Sequence, residues 1–63
     1  MELDFFEKVI IPRLEKSDFF CGYEKCENQT QCVYILTMGT DYEGYEEFLV
    51  YFDKNTKNFI RIS

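Results

Sequence analysis

The stretch from Gln31 to Met38, Gln-Cys-Val-Tyr-Ile-Leu-Thr-Met, constrains this chain more than any other part of it. β-Branched and aromatic residues dominate it, and neither of its alternating faces carries a charge. A strand that is apolar on both faces belongs in the middle of a sheet and needs a neighbour on each side. The flanking sequence supplies them. Phe19 to Lys25 reads as a first strand, weakened by Gly22, which marks a bulge or a close backbone approach. Glu46 to Asp53 is a second strong strand, and Asn58 to Ile62 is the last. Polar runs separate them: Cys26 to Thr30 reads as a turn, Gly39 to Gly44 as a flexible acidic connection, and Asp53 to Lys57 as a hairpin loop.

Ahead of the strands the apolar period changes from two to between three and four. Leu3, Phe6, Ile10 and Leu14 fall on one face of a helix from Leu3 to Lys16, with Val9 and Phe5 widening it. Asp4 is placed to cap the start, and Glu7, three residues on, has the spacing that reaches back to a cap amide. Pro12 lacks an amide proton and clashes with the carbonyl of residue 8 in a regular turn, so a kink or a restart is expected there. The fold class is α+β: one N-terminal helix packed on a three- to four-stranded antiparallel meander sheet, a single domain over residues 1–63.

At 63 residues the chain buries only ~60% of its unfolded surface, which leaves little stability to spare and no room for a substrate-enclosing cleft. Its resource is aromatic: seven Phe and five Tyr within a 46% hydrophobic composition separate it from a disordered acidic segment. Leu36, Leu49 and Ile60 on one parity and Ile35, Val50 and Phe59 on the other make both sides of the sheet partly apolar. One helix covers one side. The other, with Tyr34 and Tyr51 and either Phe48 or Phe52, is the candidate face for a partner or a homodimer, unless sheet twist and long side chains hide it.

Charge is distributed unevenly. The net of −5 resolves into six acids and four bases over residues 1–25, six acids and no base over 26–53, and three bases and no acid over 54–63. In the base-free block Asp41, Glu43, Glu46 and Glu47 interleave with Tyr42, Gly44 and Tyr45. Carboxylates without a local cation direct their field outward, and tyrosines beside them supply rigid contact area, so Asp41, Tyr42, Glu43, Tyr45, Glu46 and Glu47 are the candidate partner-binding residues. Lys54, Lys57 and Arg61 mark a different face or neutralise the end of the sheet. The acidity argues against direct nucleic-acid binding, which needs a basic stripe that releases counterions.

No catalytic constellation emerges. The chain has no His, its only serines are Ser17 and Ser63, it lacks a glycine-rich phosphate loop, and its acids do not follow an EF-hand spacing. Cys21, Cys26 and Cys32 are one ligand short of a structural zinc site and lack its tight knuckle, so neither metal nor cofactor is expected. A Cys21–Cys32 disulfide requires the two strands to pair across the Cys26 turn; reduced thiols are the simpler expectation. Met1 to Ile10 carries three acids in place of the basic region of a secretory signal, and no apolar run approaches the ~20 residues that span a bilayer, which points to a cytoplasmic protein without membrane contact.

These features lead to a small acidic inhibitor or adaptor that occupies a basic, nucleic-acid-binding surface of a partner protein, where its carboxylates lie in place of phosphates. Compact acidic proteins rich in Lys, Asn, Phe, Tyr and Ile are the sort that phages of low-GC bacteria encode against host defence systems, anti-CRISPR proteins among them; the comparison is one of class, with no residue match. The rival reading is a homo-oligomerising structural or regulatory module whose acids serve solubility alone.

Overall fold

A computed structural model describes residues 1–40 and 44–63. One helix, α1, over residues 3–15, lies on a four-stranded antiparallel sheet. The strands are β1 (Phe20–Glu27), β2 (Gln31–Gly39), β3 (Tyr45–Asp53) and β4 (Phe59–Ile62), in spatial order β1-β2-β3-β4. The uncharged stretch thus sits centrally as β2, with β3 as the second interior strand. The turn after β1 is shorter than the sequence suggests. Pairing continues through Cys26 and Glu27, and only residues 28–30 reverse the chain, with the Asn28 side-chain oxygen accepting from the backbone N–H groups of Thr30 and Gln31. At the β3–β4 hairpin an Asp53 carboxylate oxygen accepts from the N–H groups of Asn55 and Thr56. Lys57 adopts a left-handed φ of 66° to close the loop.

Pro12 is accommodated by a wide turn. Leu3–Phe5 is α-helical, Phe6–Ile10 is π-helical and Ile11–Glu15 returns to α geometry. The Ile11 N–H donates to the Phe6 carbonyl five residues back, and the extra width gives the proline ring room that a regular turn denies it. The same widening shifts the apolar phase. Leu3, Phe6 and Ile11 are buried, Ile10 and Leu14 are half-buried against them, and Phe5 is exposed, so Ile11 takes the place that regular spacing gives Ile10. Asp4 is not the cap: Glu2 occupies that position without a side-chain bond, and Glu7 turns away from the helix start.

The core lies between α1 and one face of the sheet, where Leu3, Phe6 and Ile11 meet Cys32, Tyr34 and Leu36 from β2 and Val50 and Phe52 from β3. Register sorts the two faces differently from the parities read in the sequence: Leu36 pairs with Phe48 and Tyr34 with Val50 on the covered side, while Ile35 pairs with Leu49 on the open side. The Phe6 ring lies 5.2 Å from Tyr34 and 5.2 Å from Phe52, tilted by about 50° to each, a geometry that suits aromatic quadrupoles. Phe52 is fully buried and also meets the edge of Phe59.

Truncating Phe52 to Ala removes the floor beneath Phe6 and should cost about 3–5 kcal/mol, comparable to the whole stability of a domain this small. Phe52→Ala is therefore expected to be largely unfolded at room temperature by circular dichroism, whereas Phe52→Leu keeps a cooperative melt at a lower midpoint.

Candidate interaction surface

Three of the seven Lys and Arg residues, Lys25, Lys54 and Lys57, are engaged in ion pairs within the fold. Glu7 projects from the π turn toward β1, where its carboxylate accepts from the Tyr34 hydroxyl and from Lys25 Nζ at 2.9 Å. Lys25 also meets Glu27 at 3.1 Å, and Lys54 reaches Glu27 at 3.4 Å and the Asn28 carbonyl at 3.2 Å. Lys57 lies 3.6 Å from Asp4 at the start of the helix. Burial and the Glu7 bond push the Tyr34 hydroxyl up, and hydrogen bonds to Glu7 and Glu27 push Lys25 up, so both stay protonated at any ordinary pH. Partial burial alone would raise the Glu7 carboxyl, but bonds from Tyr34 and Lys25 outweigh it and hold the group below its ordinary value of 4.5. Lys54 and Lys57 thus neutralise one end of the molecule.

The opposite end of the sheet is acidic. Asp41, Tyr42 and Glu43 lie outside the described residues. Tyr45, Glu46 and Glu47 open β3 as exposed residues, with Tyr45 at 74% of full exposure. Strand alternation separates them: Glu47 and Tyr45 share the open face, whereas Glu46, opposite Met38, lies on the helix side. Across β2 from Glu47 stands Gly22, because both pair with Thr37. A bulge at Cys21 and the missing side chain at Gly22, whose φ is 156°, leave a groove of about 410 Å³ floored by Ile35 and Thr37, with Glu24 and Glu47 on its sides. Among the described residues no cation pairs with Glu24, Glu46 or Glu47. Sequence reasoning missed Glu24, which stands apart from the acidic run and joins it only through the β1–β2–β3 register.

The middle of the open face is apolar. Val33 and Ile35 from β2 and Leu49 and Tyr51 from β3 form a half-buried patch, and among the described residues no further layer covers it. Arg61 flanks it on β4, its guanidinium carbon 4.1 Å from the centre of the Tyr51 ring. Tyr51 is therefore on the face expected of it. Tyr34 is not: it is 4% exposed beneath the helix, since its parity on β2 is that of Cys32 and Leu36. Phe52 is buried on the same covered side, and Phe48 packs against its core.

The thiols are all free. Cys32 pairs with Glu27 and is buried, while Cys21 sits at the far end of β1, so the hairpin register holds apart the two thiols a staple would join. Among the described residues no group of three metal-ligating side chains converges, and no helix is long and apolar enough to cross a membrane. What this surface offers is a charged and aromatic contact area with a shallow groove. No protein family, no curated protein and no solved structure matches the chain.

Because the folded-state pKa of Glu7 lies below its unfolded value, its pairing contributes stability that is fully present above pH 4.5 and lost as pH falls through the lowered value. The urea midpoint should therefore drop on acidification below about pH 4.5. In Glu7→Gln, which keeps an acceptor for Tyr34 and removes the titrating group, the same series of melts should show a shallower dependence.

Proposed function

We propose that this chain is a protein-binding module, an inhibitor or adaptor that places the acidic end of its sheet on a basic, nucleic-acid-binding surface of a partner protein, and that it acts by occupancy rather than catalysis. The observation that supports this is the charge balance. Asp4, Glu7, Glu27 and Asp53 are absorbed by the fold's own lysines and turn amides, whereas among the described residues Glu46 and Glu47, at the start of β3, form no ion pair. A rigid sheet bearing unpaired carboxylates beside an exposed Tyr45 carries charge and docking area together, and its long-range field steers a basic partner toward it. Within this reading the natural targets are cytoplasmic enzymes with basic nucleic-acid channels, of the kind that phage-encoded anti-defence and anti-CRISPR proteins block.

The test is affinity capture from a bacterial lysate with the wild-type chain and with a variant carrying Asp41→Lys, Glu43→Lys, Glu46→Lys and Glu47→Lys. Proteins retained by the wild type should be nucleic-acid-binding, should be displaced by duplex DNA or by salt, and should be retained at least about tenfold less by the variant. Capture that survives charge reversal and high salt would exclude an electrostatic contact.

A further inference from the structure

We infer that the open face of the sheet is a homodimer interface in which a second copy packs face to face, with Glu24 of each copy meeting Arg61 of the other. The apolar patch of Val33, Ile35, Leu49 and Tyr51 is the mirror of the core on the helix side, and it lacks only a covering layer. What identifies the layer as a second copy is the placement of charge around the patch. Glu24 lies on β1 at the level of Ile35, and Arg61 lies on β4 at the level of Tyr51 and Val33. A twofold axis parallel to the strands, running between β2 and β3, lays β1 over β4 of the second copy and β2 over its β3. Glu24 then stands about 7 Å along the strand from Arg61 of the second copy, one same-face step, within reach of two long side chains. Symmetry makes the pair twice. Arg61 sits over the Tyr51 ring, its guanidinium carbon 4.1 Å from the ring centre, and a guanidinium carries five N–H donors with which to meet a carboxylate.

The edges of the sheet are poorer routes to association. β1 is interrupted by the bulge at Cys21 and carries Glu24, Lys25 and Glu27. β4 is four residues long, and its start is covered by the Phe59 N–H bond to the Met1 carbonyl and the bridge between Glu2 and Asn58. Strands of eight, nine, nine and four residues, spaced about 4.8 Å apart, present a face of roughly 480 Å², below the ~800 Å² per partner of a standard interface. The dimer is accordingly weak, with a dissociation constant in the micromolar range. Because the axis runs along the strands, the acidic ends of both copies fall at the same end of the assembly. Glu47 of each lies at its solvated rim, where ions screen their repulsion.

Sedimentation equilibrium of the chain from about 1 to 500 μM tests this. The mass should rise from 7.6 kDa toward twice that value. Glu24→Arg and Arg61→Glu should each weaken the dimer about tenfold or more, and the double variant Glu24→Arg/Arg61→Glu should restore it, a result that loss of folding cannot imitate. Leu49→Asp should leave a monomer with an unchanged far-ultraviolet spectrum. A wild-type chain that stays monomeric at the highest concentration overturns the inference. So does a double variant as weak as the singles. A dimer that persists in Leu49→Asp overturns it too, by moving the contact to exposed apolar residues elsewhere, such as Phe5, Phe19 and Phe59.

Discussion

The seating of Phe6 between Tyr34 and Phe52 is the contact on which the rest of this fold depends. A sheet of four strands without a cover would expose all of its apolar area, and α1 hides half of it. Phe6 is where that cover is fastened. Its ring meets one aromatic from β2 and one from β3, so a single side chain ties the helix to both interior strands. The polar contacts of Glu7 follow from the same seating. Once Phe6 is down, the next residue faces β1, and its carboxylate meets the Tyr34 hydroxyl and Lys25.

Much of this architecture is legible in the sequence, for physical reasons that differ from element to element. The interior position of β2 follows from its lack of charge on both parities, which no edge strand tolerates. The hairpin at Asp53 to Lys57 follows from turn chemistry. The helix is visible from its period, but its phase is not. Ile11 rather than Ile10 enters the core because the turn before Pro12 widens, and the composition of Phe6 to Ile10 gives no sign of it. The face that Tyr34 occupies is hidden from the sequence for a related reason: when both sides of a strand are apolar, alternation groups the residues without saying which group the helix covers.

Charge shows the same division between local and long-range information. The base-free block and the basic tail can be counted directly, and the count marks the acidic end of β3. It does not reveal that Glu27 is neutralised by lysines on either side of the block, or that Glu24 joins Glu47 across β2. Both depend on strand register. Arg61 likewise looks like one of three equivalent tail cations, until pairing puts Lys54 and Lys57 in ion pairs and leaves Arg61 on the face of Tyr51.

The π turn also determines how this chain tolerates changes in length. Phe6 and Ile11 are five residues apart and both buried because the wide turn absorbs one residue more than a regular one. Deleting a single residue between them would close the turn to regular geometry with Phe6 and Ile11 four apart and still on one face, whereas inserting one would rotate everything after it by about 100°. The deletion would bring the Pro12 ring back against the carbonyl four residues before it, and the insertion would roll the apolar face of the second half off the sheet. Substitution on the solvent side of this segment, as at Lys8, leaves that count intact. The segment is therefore open to drift in side-chain identity while its length is fixed, so relatives of this protein should differ in the letters between Phe6 and Pro12 before they differ in their number.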